Sequence, residues 1–280
     1  MELIKDIQTM RSYIKRREEG KIVGFVPTMG HLHEGHLSLI RKGRKESDVL
    51  VVSIFVNPTQ FEPGGDFKSY PRNLERDMKL AEAEGVDVIF APSVEEMYPG
   101  GYSTFVEVEG HLTSILEGEL RPGHFRGVTT ILAKLFNIVS PDRTYFGEKD
   151  YQQALVVRKL VRDLNLNIEI VPLPTVREQD GLALSSRNSY FTPAERKAAT
   201  VLYQSLLTAK KDIARGIRDA RVISSHMEDL IRRQPLARID YVAVIDPETL
   251  RRVERVEKEV LVAVAAKIGQ TRLIDNLKIG

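Results

Sequence analysis

The chain has 280 residues, enough for two domains that each bury a core, and its 42% hydrophobic and 29% charged residues exclude a disordered protein. Lys and Arg total 41 against 39 Asp and Glu, a net charge of +2, so no large sequence-independent attraction to nucleic acid is expected. There is no Cys, which excludes disulfides, thiolate-bound zinc and thiol catalysis and points to a reducing, cytoplasmic setting, and MELIKDIQTMRSYIKRREEG carries charges throughout, so no signal or membrane segment is expected there.

In chain order, Ile7 to Glu19 reads as an amphipathic helix stopped by Gly20, and Lys21 to Val26 as a buried strand ending at Pro27. HLSLIRKGRK reads as a helix, SDVLVVSIFV as a second buried strand ending at Asn57 and Pro58, Asn73 to Glu84 as a helix, and VDVIFAP as a third strand. A loop-rich stretch with STFVEV follows. GVTTILAKLFNIV then reads as a helix, RTYFG as a strand, QQALVVRKLVRDL as a helix and NIEIVPL as a strand. Near-continuous Val and Ile runs alternating with helices are what a parallel sheet covered on both faces requires, so the N-terminal part is expected to be α/β, with ligands beyond the carboxyl ends of its strands. From Pro193 the order changes. Helices over Pro193 to Arg215 and Asp219 to Arg233 precede strands in ARIDYVAVID, EVLVAVAAKIG and TRLIDNLKIG, which predicts a small α+β domain after a boundary between Pro172 and Asn188.

Three of the six histidines fall in PTMGHLHEGH, directly after the first strand. Gly30 and Gly35 permit close approach of backbone to a ligand, the next helix offers unpaired N–H groups to an anion, and His33 and His36 can donate to phosphate oxygens as charge develops. The plainer alternative is a turn whose histidines only cap and hydrate it. A metal-binding segment of a binuclear metallohydrolase is another, but Gly35 stands where such sites place an Asp, and only His111, His124 and His226 remain as further imidazoles.

In FVNPTQF, Asn57 and Gln60 follow the second strand and so share an edge with the histidines. A neutral amide can orient a carboxylate without neutralising it, which leaves its oxygen nucleophilic. Asn57 before Pro58 also fits a plain turn start. FGEKDYQQ supplies Lys149, Asp150, Gln152 and Gln153 at a strand end, where a lysine suits a triphosphate and Asp150 suits a helix cap. REQDGLALSSRNSY sets Ser185 and Ser186 beside Arg187 after Gly181, a segment able to close over phosphates or serve as a polar linker. LEGELRPGHFRGV brings Glu117, Arg121, His124 and Arg126 to a loop before a helix.

Together PTMGHLHEGH, SIFVNPTQF, LEGELRPGHFRGV, FGEKDYQQ and the stretch from Pro174 to Asn188 resemble the pantothenate synthetases, within the HxGH nucleotidylyltransferase superfamily; the resemblance runs from about Gly20 to Phe191. It implies a Rossmann-like parallel-sheet domain over 1–175 that binds ATP and pantoate, and a smaller C-terminal α+β lid domain over 176–280. It implies the activation of (R)-pantoate by Mg-ATP to pantoyl adenylate and pyrophosphate, then displacement of AMP by β-alanine to give pantothenate, with Mg2+ required. Met29, Gly30, His31, Leu32, His33, Glu34, Gly35 and His36 would contact ATP, as would Gly147, Glu148, Lys149, Asp150, Val176, Leu184, Ser185, Ser186 and Arg187. His36 would be the catalytic acid, with His33, Lys149 and Arg187 beside it in the chemistry. Gln60, Gln153 and Asn57 would hold pantoate, and Gln60 also β-alanine. One acidic position linked to Mg2+ in the family corresponds to Asp77, but Arg76 beside it is not acidic, so the protein ligands of the metal stay open. A homodimer with small-molecule substrates and no nucleic-acid or membrane partner is expected. A nucleotide-binding regulatory module, or a transferase adding AMP to a phosphate ester, remain the rival readings.

Overall fold

Short runs of β-branched and aromatic residues line up as one parallel sheet because helices return the chain to the same edge after each strand. The computed structural model describes residues 1–61 and 67–280. These divide into a first unit, Met1–Glu148 with Gln153–Pro174, and a second, Lys149–Gln152 with Thr175–Gly280.

The first unit is a Rossmann-like α/β domain. Its elements are β1 (Glu2–Ile4), α1 (Ile7–Lys15), β2 (Val23–Thr28), α2 (Glu34–Glu46), β3 (Val49–Ile54), α3 (Leu74–Ala83), β4 (Val88–Phe90), the short helices α4 (Val94–Met97), α5 (His111–Ser114) and α6 (Glu117–Leu120), then α7 (His124–Val139), β5 (Arg143–Gly147), α8 (Tyr151–Asp163, in this unit from Gln153 on) and β6 (Glu169–Leu173). The strand order is β1-β4-β3-β2-β5-β6, every pair parallel. Successive residues of a strand face opposite sides, and the two cores follow that alternation. Val23, Phe25, Val51, Val88 and Phe90 face α1, α7 and α8, while Val26, Leu50, Val52 and Ile89 face α2 and α3. Phe25 is fully buried, and burial of a side chain of this size stabilises the fold by roughly 1.5–3 kcal/mol.

The connections run outward from β2 through β3 to β4, and in the other direction from β5 to β6, so the topological switch point lies between β2 and β5. β2 passes through Pro27 to Thr28, where a stop at the proline was expected. The ladder to β5 involves only Gly24 and Phe25, so beyond them β2 has one neighbour, β3, and the proline's missing N–H leaves no gap in the β5 ladder. The three-residue strand β1, which pairs with β4, was not anticipated.

The second unit is the smaller α+β unit. It contains α9 (Pro193–Ala199), α10 (Val201–Ala214), α11 (Ala220–Arg232) and an antiparallel sheet ordered β7 (Ala237–Ile245), β8 (Val260–Ile268), β9 (Thr271–Ile279). Val260, Val262, Val264 and Ile268 of β8 join Leu202, Leu206, Ile223 and Met227 of the helices in one core. The single helix expected over Pro193 to Arg215 is divided at Thr200, whose hydroxyl donates to the Lys197 carbonyl at 2.9 Å and so competes with the helical ladder.

Candidate active site

Three loops leave neighbouring strands at the carboxyl edge of the first unit: residues after β2, after β3 and at the end of β5, in the spatial order β3-β2-β5. The loop after β2 is built by backbone hydrogen bonding. The Thr28 hydroxyl donates to the Ser53 carbonyl at 2.7 Å and accepts the Gly30 N–H at 3.1 Å. Gly30 and His31 then take left-handed backbone, with φ of 81° and 52°. At position 30 a Cβ would sit 2.9 Å from Ile54 Cγ2 and 3.0 Å from Asp77 Oδ2, so only glycine fits there. Asp77, on the first turn of α3 and 1% exposed, holds the turn by accepting the N–H groups of His31 at 2.7 Å and Leu32 at 2.8 Å. Arg76 completes the clamp, its guanidinium donating to the Leu32 carbonyl at 3.0 Å.

The histidines do cap the helix, as the plainer reading has it, and the cap has a chemical consequence. His33 is the N-cap of α2; its Nδ1 accepts the Gly35 N–H at 3.2 Å, and His36 Nδ1 accepts the His33 N–H at 3.3 Å. A backbone N–H only donates, so both Nδ1 atoms are acceptors and both neutral rings carry their proton on Nε2. The rings lie 4.1 Å apart, tilted by 34°. Two Nε2–H donors thus flank a helix N-terminus, an arrangement suited to phosphate oxygens.

Asn57, 1% exposed, caps the 3₁₀ turn Pro58–Gln60 after β3. Gln60 is brought against the β2 loop, its Nε2 lying 3.1 Å from Met29 Sδ. The LEGELRPGHFRGV segment packs on the same turn. His124 Nδ1 lies 3.0 Å from the Gln60 carbonyl, which makes it the donor, and Arg121 reaches that carbonyl at 3.4 Å and His124 Nε2 at 3.2 Å. Tyr98, which sequence reading passed over, donates its hydroxyl to Asn57 Oδ1 at 2.8 Å, and burial pushes its phenol up to about 12. Gly147 ends β5 and Glu148 opens the 3₁₀ turn that follows it, and Gln153 lies half-buried on α8.

In the second unit, Lys149 Nζ lies 3.8 Å from Asp150 Oδ1. The Lys149 carbonyl accepts from Asn276 Nδ2 at 2.8 Å. Arg177 forms a two-pronged pair with Asp275 at 2.6 and 2.9 Å and donates to the Asn276 carbonyl at 3.2 Å. It also lies over the Tyr203 ring, 4.2 Å from its centroid. Val176 and Leu184 are joined directly, the Leu184 N–H donating to the Val176 carbonyl at 3.0 Å. Ser185 caps the 3₁₀ helix Ser186–Tyr190 by accepting the Arg187 N–H at 3.3 Å, and Ser186 is buried. Asn276 and Arg177 gave no signal in the sequence, because their partners lie about a hundred residues or more away.

A resident metal does not fit these side chains. Among the described residues no group of three or more His, Cys, Asp or Glu is placed to hold an ion. Asp77, the position linked to Mg2+ by resemblance, has both oxygens engaged by backbone N–H groups. No described helix is long and apolar enough to cross a membrane.

Residues 2–278 match the family model for pantoate–β-alanine ligase. A pantothenate synthetase from Moorella thermoacetica is 57% identical over 278 residues, covering 99% of this chain and 98% of that one. Among solved structures, pantothenate synthetase from Thermus thermophilus superposes with a TM-score of 0.95 at 49% identity, covering 99% of each chain. A Francisella tularensis pantoate–β-alanine ligase, solved as a complex with β,γ ATP and β-alanine, gives 0.83 at 35% identity, covering 99% of this chain and 97% of that one.

Proposed function

The chain belongs to the pantoate–β-alanine ligase family and is an ATP-dependent ligase that joins pantoate to β-alanine to give pantothenate; from that premise we propose that it works through a pantoyl adenylate. The observation that carries this reading is the pair of Nε2–H donors at the start of α2, beside Gln60 on the neighbouring loop. Phosphate donors and a neutral amide at one strand edge suit an acid attacking a nucleotide.

A carboxylate resists attack by an amine because its carbon is a poor electrophile and its leaving group would be oxide. Adenylation removes both obstacles. In the first half-reaction a pantoate carboxylate oxygen attacks the α-phosphorus in line, the bond to the β-phosphate oxygen breaks, and pyrophosphate leaves. In the second, the neutral amine of β-alanine attacks the acyl carbon, the acyl–oxygen bond to AMP breaks, and the amine's proton passes to solvent. The protein aligns the partners and meets the charge moving onto pyrophosphate, and no protein nucleophile is needed.

In this reading Met29 to His36, Gly147 to Asp150, Val176 and Leu184 to Arg187 serve ATP. His36 donates from Nε2 to a phosphate oxygen as charge builds, with His33 beside it; Lys149 supplies a point charge and Arg187 a planar fork of donors. Gln60 and Gln153 orient pantoate, and Gln60 also meets β-alanine. Mg2+ enters as the Mg-ATP substrate. The reading also takes the protein as cytoplasmic and acting on small molecules alone, in keeping with a chain without cysteine and a net charge of +2, and as a homodimer by family resemblance.

The test is isotopic. Pantoate labelled with 18O in its carboxylate, incubated with ATP and β-alanine, is expected to deliver one labelled oxygen to each AMP. ADP and phosphate as products, with no label in the nucleotide, would refute the adenylate.

A further inference from the structure

We propose that the Gly127 carbonyl, Asn57 and Tyr98 form a polarity relay that fixes which end of the Gln60 amide faces the substrate carboxylate, making Asn57 and Tyr98 positioning residues for pantoate. The proposal rests on the reading that Gln60 binds the acid.

The relay starts from a group with no choice. A backbone carbonyl only accepts, so the Asn57 atom 3.0 Å from Gly127 O must be the amide nitrogen. Asn57 Oδ1 then faces Tyr98 and Thr59, and both hydroxyls donate to it, at 2.8 and 2.9 Å. The second hydrogen of Asn57 Nδ2 points at Gln60, 3.1 Å away, where only the oxygen Oε1 can receive it. Gln60 Nε2 is left on the other side, next to the weakly accepting Met29 Sδ at 3.1 Å, a partner that a carboxylate oxygen outcompetes.

Two observations make the relay stiff. Asn57 is 1% exposed and has both hydrogens and both lone pairs engaged inside the protein, so it acts through Gln60 and does not itself touch the acid. Gly127 lies so close to the turn that a Cβ there would stand 2.4 Å from the Thr59 carbonyl oxygen and 2.7 Å from Gln60 Cα. The Tyr98 phenol remains a donor across the neutral range, because its burial opposes ionisation. An outward NH2 on Gln60 attracts a carboxylate without neutralising it. An outward carbonyl would repel it.

The experiment is steady-state kinetics on the full chain with Tyr98→Phe, Asn57→Asp and Gln60→Ala, plus inhibition by pantoamide, the primary carboxamide of pantoate. Tyr98→Phe removes one donor and is expected to raise the pantoate KM about 3- to 10-fold while the ATP KM stays within about twofold. Asn57→Asp presents an acceptor to Gln60, which then turns its NH2 inward and its carbonyl outward. The pantoate KM should rise about 30- to 100-fold, and the ratio of pantoamide Ki to pantoate KM should fall at least about tenfold, since the analogue can donate to that carbonyl. An unchanged ratio in Asn57→Asp, or equal shifts in the ATP and pantoate KM of Tyr98→Phe, overturns the relay; if Asn57→Asp does not fold, the Tyr98→Phe comparison decides alone. Gln60→Ala separates the two levels. If it leaves the pantoate KM unchanged, the reading of Gln60 fails. If it raises that KM while the other two variants behave like wild type, the relay alone fails.

Discussion

A carboxylate with both oxygens on backbone N–H groups holds a chain in place, and Asp77 does so for the left-handed turn at Gly30 and His31. Asp77→Ala leaves two amide hydrogens without their acceptor, at a cost of about 1–3 kcal/mol for each that stays buried. Urea unfolding should show that loss, and the ATP KM should rise more than the pantoate KM; equal stability in the variant contradicts the clamp. His36 separates capping from chemistry. In His36→Asn the amide oxygen stands where Nδ1 accepts the His33 N–H, so the melting temperature should hold while turnover falls about 100- to 1000-fold with the Nε2 donor gone. A lost cap together with retained turnover would reverse that assignment. The histidines were legible because their clustering after a buried strand is local. Asp77 was legible only as an acid of uncertain purpose, since its partners lie 45 and 46 residues away.

At the level of elements, the docking of α7 on the turn after β3 depends on Gly127. Gly127→Ala places a methyl 2.4 Å from the Thr59 carbonyl oxygen, so helix and turn must separate. Overpacking of this kind costs about 1–3 kcal/mol. It should lower the midpoint of urea unfolding and raise the pantoate KM, with a smaller change for ATP; a variant as stable as wild type would show that the contact relaxes freely. The alternation of strands and helices, and the run of strands at the C-terminus, were readable because each rests on periodicity within a dozen residues. The passage of β2 through Pro27 and the break at Thr200 were not. The first depends on where β5 parts from β2, the second on a hydroxyl donating to a carbonyl three residues back.

At the level of the whole molecule, each unit has its own core, and within the second Arg177 pairs with Asp275. The pair's side chains are 15% and 3% exposed, so Arg177→Ala strands a buried carboxylate and should cost about 3–5 kcal/mol in chemical unfolding. It should also lower turnover, because Asn276, which accepts from Arg177, holds the Lys149 carbonyl; wild-type stability would mean the pair is dispensable. Composition and strand order made the two-part architecture readable from the sequence, whereas the placement of Lys149–Gln152 with the second unit depends on contacts with a strand more than a hundred residues away. All of this serves one chemical claim, that AMP is joined to pantoate before β-alanine takes part. The most direct measurement is the exchange of labelled pyrophosphate into ATP with β-alanine absent. Exchange is expected to require pantoate and to be lost in His36→Asn; no exchange with active enzyme, or exchange only when β-alanine is added, would contradict an adenylate formed from pantoate and ATP alone.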